Sequence, residues 1–137
     1  MKTIVLYYSF SGKTKMLAVQ KASELGADIE EVSEKKKPSF LKALAAGTFR
    51  ARKRKKAEIQ PVKADLSGYD QIIIMAPVWA GYPAPAFNNI IELLPPGKKV
   101  ELFLTSASSG TKGSVEGSKA LVTGRGCEVT GYTDIKT

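Results

Sequence analysis

Residues 4 to 8, Ile-Val-Leu-Tyr-Tyr, form an apolar run with no polar residue to turn toward water. A strand of that composition needs cover on both faces. A parallel sheet between two layers of helices supplies it, and an antiparallel sheet with one wet face does not. The residues after the run narrow the choice further. Ser9, Ser11, Gly12 and Thr14 crowd together directly before Leu17, Ala18, Ala22 and Leu25, which recur at helical spacing. The pattern is a strand, a tight loop and a helix start. At such a junction the first helical turn presents unpaired N–H groups and the positive end of its macrodipole, so the loop is a ready phosphate site. With a single glycine it matches neither the nucleotide-triphosphate loop nor G-x-G-x-x-G. Read alone, the loop serves equally as an anion site or as a hydroxyl-rich cap, with Ser11 or Gly12 at the N-cap.

The 137 residues make one domain, 1–137. A single cysteine, Cys127, and no histidine leave no internal disulfide, no Cys-based metal cluster and no imidazole base. Triad hydrolases and zinc enzymes are disfavoured, and neither a metal site nor a catalytic residue is expected. The N-terminus enters a strand with no apolar leader, and the apolar runs are far shorter than a membrane span. The expectation is a cytoplasmic protein with no membrane partner. Of the net charge of +8, all the excess lies in residues 35–56, which hold ten Lys/Arg and no Asp or Glu; the rest of the chain has a net charge of −2. Only Phe40 and Phe49 lie among those cations, so a nucleic-acid surface interleaved with aromatics is not expected. A solvated helix face and a docking patch for an acidic protein both fit.

Along the chain, residues 27–32 alternate weakly and suit a short edge strand. Ser39 is placed to cap a helix from Phe40 that Gly47 weakens, and the like charges of Arg50 to Lys56 predict an irregular excursion. Gln71 to Pro77 is a second, central apolar strand. The loop after it displays Trp79 and Tyr82 around Gly81; the tryptophan is either folded inward as core or aimed at a ligand beyond the strand's carboxyl end. Phe87, Ile90, Ile91 and Leu94 predict a helix stopped by Pro95-Pro96-Gly97, and Lys99 to Thr105 a third strong strand. A Ser- and Gly-rich loop, a helix over 114–122 and a strand over 127–135 complete the order. No Asn-Gly type dipeptide separates the strands, so the connections are right-handed crossovers of a parallel sheet.

The three loops at the carboxyl ends of the apolar strands resemble those of the short-chain flavodoxins. Ser9-Phe10-Ser11-Gly12-Lys13-Thr14 matches the family's T/S-x-T/S-G-x-T phosphate loop, and Pro77-Val78-Trp79-Ala80-Gly81, followed by Tyr82, resembles its P-x-W-x-G segment. The loop containing Ser106, Ala107, Ser108, Ser109 and Gly110 resembles the one that closes the pyrimidine edge of the flavin. The resemblance implies a three-layer flavodoxin-like fold with a five-stranded parallel sheet of order 2-1-3-4-5, and FMN across these loops; the flavodoxin order is itself the standard example of this switch-point rule. It also implies that a peptide near Gly81 flips toward flavin N5 on one-electron reduction, which glycine permits.

The function implied is an FMN-binding one-electron carrier between redox proteins. Two alternatives stand beside it: an FMN-dependent NAD(P)H or quinone reductase, and a flavodoxin-like module without flavin. An acidic redox partner is expected near Arg50 to Lys56. The family closes with a helix after the fifth strand, and this chain stops at Thr137 without one. The strands beneath that helix are apolar on both faces, which would leave about 400 Å² of sheet bare; a homodimer is expected to cover it, with a separate partner subunit or a chain cut short from a longer parent as the alternatives.

Overall fold

The computed structural model describes residues 1–108 and 110–137. Five parallel strands, β1 (Thr3–Tyr7), β2 (Asp28–Glu31), β3 (Gln71–Trp79), β5 (Lys99–Ser106) and β6 (Glu128–Lys136), lie in the order β2-β1-β3-β5-β6. This is the expected 2-1-3-4-5 arrangement. A two-residue β4 (Tyr82–Pro83) folds back on the end of β3 in antiparallel pairing.

Alternation along the central strands divides the core in two. Ile4, Leu6, Ile72, Ile74, Leu102 and Leu104 face α4 (Pro85–Leu93) and α5 (Val115–Gly124), where Phe87, Ile90, Ile91 and Val122 meet them. Val5, Tyr7, Ile73, Met75 and Phe103 face α1 (Lys13–Leu25) through Ala18 and Ala22. Small residues on α1 let it lie close to the sheet.

That second cluster corrects the expectation of a bare apolar face. Ile73 and Met75 have no exposed surface, and Phe103 is covered, with Lys21 Nζ 4.9 Å from its ring centre. Beyond α1, the residues paired across β5 and β6 on this side include Glu101 with Gly131 and Phe103 with Thr133. The α1 helix and these small or polar residues do the work assigned to a further helix. The outward apolar side chains left on α1 are Met16, Val19 and Leu25.

Gly47 does not end its helix. Helix α2 (Phe40–Lys42) passes through a π turn (Ala43–Gly47) into α3 (Thr48–Arg52), with the Thr48 N–H reaching back five residues to the Ala43 carbonyl. Ser39 caps it as expected, accepting from the Lys42 N–H at 3.3 Å. Ala43, Gly47 and Ala51 are buried against the body. No described helix is long and apolar enough to cross a membrane.

Candidate functional site at the carboxyl edge of the sheet

Three loops meet at the carboxyl ends of β1, β3 and β5, and each pair is tied. Thr14 Oγ1 of the first loop and Thr105 Oγ1 at the end of β5 are 2.8 Å apart in a buried hydrogen bond. Phe10 packs edge-on against Trp79, ring centres 5.5 Å apart, joining the first loop to the second. Ser114 Oγ, just past the third loop, donates to the Gly81 carbonyl at 2.7 Å.

In the first loop the hydroxyls divide their work in a way their spacing does not reveal. Ser9 Oγ accepts from the backbone N–H of Gly12 at 3.1 Å and of Lys15 at 3.2 Å, so it caps α1. Gly12 is the N-cap residue, at φ 98°, without a side-chain cap of its own. Thr14 points into the core. Among the described residues, the N–H groups of Ser11, Lys13 and Thr14 have no partner. Ser11 and Lys13 are exposed. What the loop offers an anion is thus a set of backbone donors with the Ser11 hydroxyl beside them. Lys37 comes from the basic stretch to donate to the Phe10 carbonyl at 2.6 Å and lies 5.0 Å from the Phe10 ring centre. This places a cation next to the loop, where its sequence position gave no reason to expect one.

In the second loop, Trp79 is half-buried among Tyr8, Phe10, Ala84 and Ala86. One edge of the tryptophan is core, and the residue stands at the rim of the candidate site. The Tyr8 hydroxyl donates to the Glu34 carboxylate, and burial first, then that bond, push its pKa far above the ordinary tyrosine value. Ala80 and Gly81 have φ of 52° and 87°, the two positive values a type I′ hairpin turn requires between Trp79 and Tyr82. Val78 pairs with Pro83 behind them. The hairpin corrects the expectation that no two-residue turn joins strands; alanine is an unusual choice for it. Ala80→Gly is expected to raise apo-protein stability by about 0.5–1 kcal/mol, since the left-handed strain of about 1–2 kcal/mol outweighs the added chain entropy; thermal melting checks it.

In the third loop, Ser106 Oγ accepts from the Gly110 N–H at 3.1 Å, while Ala107 and Ser108 are exposed. Ser109 lies outside the described residues. The loop is braced from β6: Thr111, fully buried, hydrogen-bonds Asp134 at 2.7 Å and also the Tyr132 hydroxyl. Burial raises the Tyr132 pKa. Pro77 and Val78 sit partly buried at the end of β3.

Arg54 is the largest departure from expectation. Expected as one of a row of solvated cations, it instead folds inward at φ 52°, donates to Ser118 Oγ at 3.2 Å and the Ser114 carbonyl at 3.1 Å, and lies 5.4 Å from the Tyr82 ring centre. Desolvation lowers its pKa, opposed by Tyr82 and Tyr132. It clamps the second and third loops from below. Arg54→Gln is expected to cost about 1–2 kcal/mol in urea unfolding, whereas Arg52→Gln and Lys53→Gln, both exposed, should cost less than about 0.5.

The NADPH-dependent FMN reductase family model matches residues 1–125 of this chain. The chain belongs to that family. Among solved structures, this FMN reductase family member is similar to a flavoprotein from Lactobacillus acidophilus NCFM solved in complex with FMN. The two share 29% identity with a TM-score of 0.78 over 97% of this chain and 92% of the other. The apo-form of the flavoprotein from the same organism, determined by NMR, is 31% identical, with a TM-score of 0.75 over 99% and 93% of the two chains. Oxidised flavodoxin 1 from Bacillus cereus is 19% identical with a TM-score of 0.53 over 100% of this chain and 86% of the other, a likeness of fold. No protein of curated function matches the sequence. The family member's fold is flavodoxin-like.

Proposed function

We propose that this protein binds FMN across the three loops and carries electrons one at a time between redox proteins. The observation that carries the reading is the set of unpaired N–H groups of Ser11, Lys13 and Thr14 at the start of a thirteen-residue helix, in loops already tied to one another. Such a cradle suits a dianionic phosphate. Trp79, Ala80, Gly81 and Tyr82 on one side and Ser106, Ala107, Ser108 and Gly110 on the other would flank the ring. FMN, when bound, supplies the redox chemistry; the chain binds it, orients it and limits water on its faces. The related L. acidophilus flavoprotein, solved with FMN, supports the cofactor.

One-electron transfer is favoured by what the loops lack. Among the described residues of these loops none is His, Cys, Asp or Glu; the ionisable side chains are Lys13, Tyr82 and Lys112. A two-electron reduction of a quinone consumes two protons, against at most one for a single-electron step, and no side chain of these loops is of the carboxylate or imidazole type that commonly relays them.

The family description favours a second reading, an NADPH-dependent flavin reductase. The two separate in one experiment on the FMN-loaded protein. A carrier is expected to exchange electrons rapidly with a reduced iron–sulfur protein while oxidising NADPH no faster than free FMN does. Acceleration of NADPH oxidation by about 100-fold or more, a typical floor for real turnover, would favour the reductase instead.

A further inference from the structure

The helix of residues 40–52 is inverted: its small residues are inside and its large apolar ones outside. Ala43, Gly47 and Ala51 pack on the body, while Phe40 is 66% exposed, Leu41 75%, Leu44 54% and Phe49 55%. The π turn gathers these four. At about 100° per residue, Phe49 would stand about 180° from Phe40 in an unbroken α-helix. The extra residue held in the π turn takes back about 100°, which brings Phe40, Leu41, Leu44 and Phe49 within roughly one 100° arc, opposite the buried face.

We infer that this face lies on an anionic lipid surface. The apolar arc is bordered by cations: Lys42, Arg52 and Lys53 are exposed beside it, and Lys53 Nζ is 5.9 Å from the Phe49 ring centre. Among the described residues, Lys56 is the one of the ten cations in 35–56 that forms an ion pair, with Glu92 at 2.7 Å. Exposed Phe and Leu flanked by lysines is the composition of a helix lying in a membrane interface. A second copy is disfavoured, because two-fold pairing would oppose two such cationic segments. An acidic protein is disfavoured by composition: seven of the ten cations are lysines, the residue depleted at protein interfaces. The sequence predicts no membrane partner because no segment spans one; a helix that rests on the surface needs no span. Through Gly47, whose added Cβ would stand 2.8 Å from Trp79, the helix sits directly on the second loop. Docking would therefore hold the site about one helix diameter from the headgroups.

The test is flotation of the FMN-loaded protein with vesicles of phosphatidylcholine alone and of phosphatidylcholine with about 30% phosphatidylserine, the anionic lipid that attracts basic segments. The expected result is at least roughly tenfold stronger partition to the anionic vesicles, weakened by salt. It should fall about tenfold both in Phe40→Ser/Leu44→Ser/Phe49→Ser and in Lys42→Gln/Arg52→Gln/Lys53→Gln, with melting temperature and flavin content kept. Equal partition to both vesicles, no partition to either, or undiminished binding of the serine variant would overturn the inference. So would a dimer in sedimentation that the serine variant returns to monomer, which would assign the face to a second copy. A monomer that ignores vesicles but binds an acidic redox protein through this face would assign it to that partner.

Discussion

Gly47→Ala is expected to destabilise the protein by about 1–2 kcal/mol and to push the indole of Trp79 outward. Helix propensity alone argues the other way: Ala exceeds Gly by about 1 kcal/mol in a helix interior, and Gly47 has ordinary helical φ of −66°. Space decides the sign. An added Cβ would lie 2.8 Å from Cζ3 and 3.0 Å from Cε3 of Trp79, the first closer than real Cβ atoms come to a neighbour and the second tight. Phe10 and Tyr8 contact the indole edge-on, so a shift away from the new methyl disturbs that packing. Trp79 is the only tryptophan, so its emission reports the displacement without ambiguity: a red shift in the apo-protein, together with an FMN affinity lower by about tenfold if the loop moves with it. A variant that melts higher with unchanged emission would contradict the packing described.

The same glycine shows where sequence reading reaches its limit. Local propensity marks Gly47 as a weak point in the helix, and only the aromatic packed on it from thirty-two positions along the chain explains why a glycine stands mid-helix. The order of the strands followed from the resemblance to the flavodoxins, while the apolar strands themselves were legible because continuous runs such as Ile72 to Met75 admit few environments. The ties between the loops were not. Thr111, Ser114 and Arg54 act through partners distant in sequence, and nothing in their own neighbourhood distinguishes them from ordinary polar surface residues. Arg54 in particular sits in a row of like charges that reads as solvated throughout. Within the first loop, spacing does not show how the hydroxyls divide their work: Ser9 is used in capping α1 and Thr14 in bridging to Thr105. The backbone N–H groups, which carry no side-chain signature, remain for the ligand. The covered α1 face teaches the converse lesson, that alternation along a strand identifies an apolar face but does not say how far one helix extends across it.

The division of labour in the first loop sets the second large expected effect. If the affinity for flavin rests on backbone donors aimed at a phosphate, riboflavin, which carries the same ring and no phosphate, must bind far more weakly. Hydrogen bonds to a charged group contribute about 1.5–3 kcal/mol each. Two or three of them, less what the phosphate gives up in leaving water, predict a difference of about 3–4 kcal/mol, or roughly 100- to 1,000-fold. Isothermal titration of the apo-protein with FMN and with riboflavin, side by side in the same buffer, measures this directly. The account predicts one FMN per chain, bound at least about 100-fold more tightly than riboflavin; equal affinities, or no binding of FMN, would contradict it.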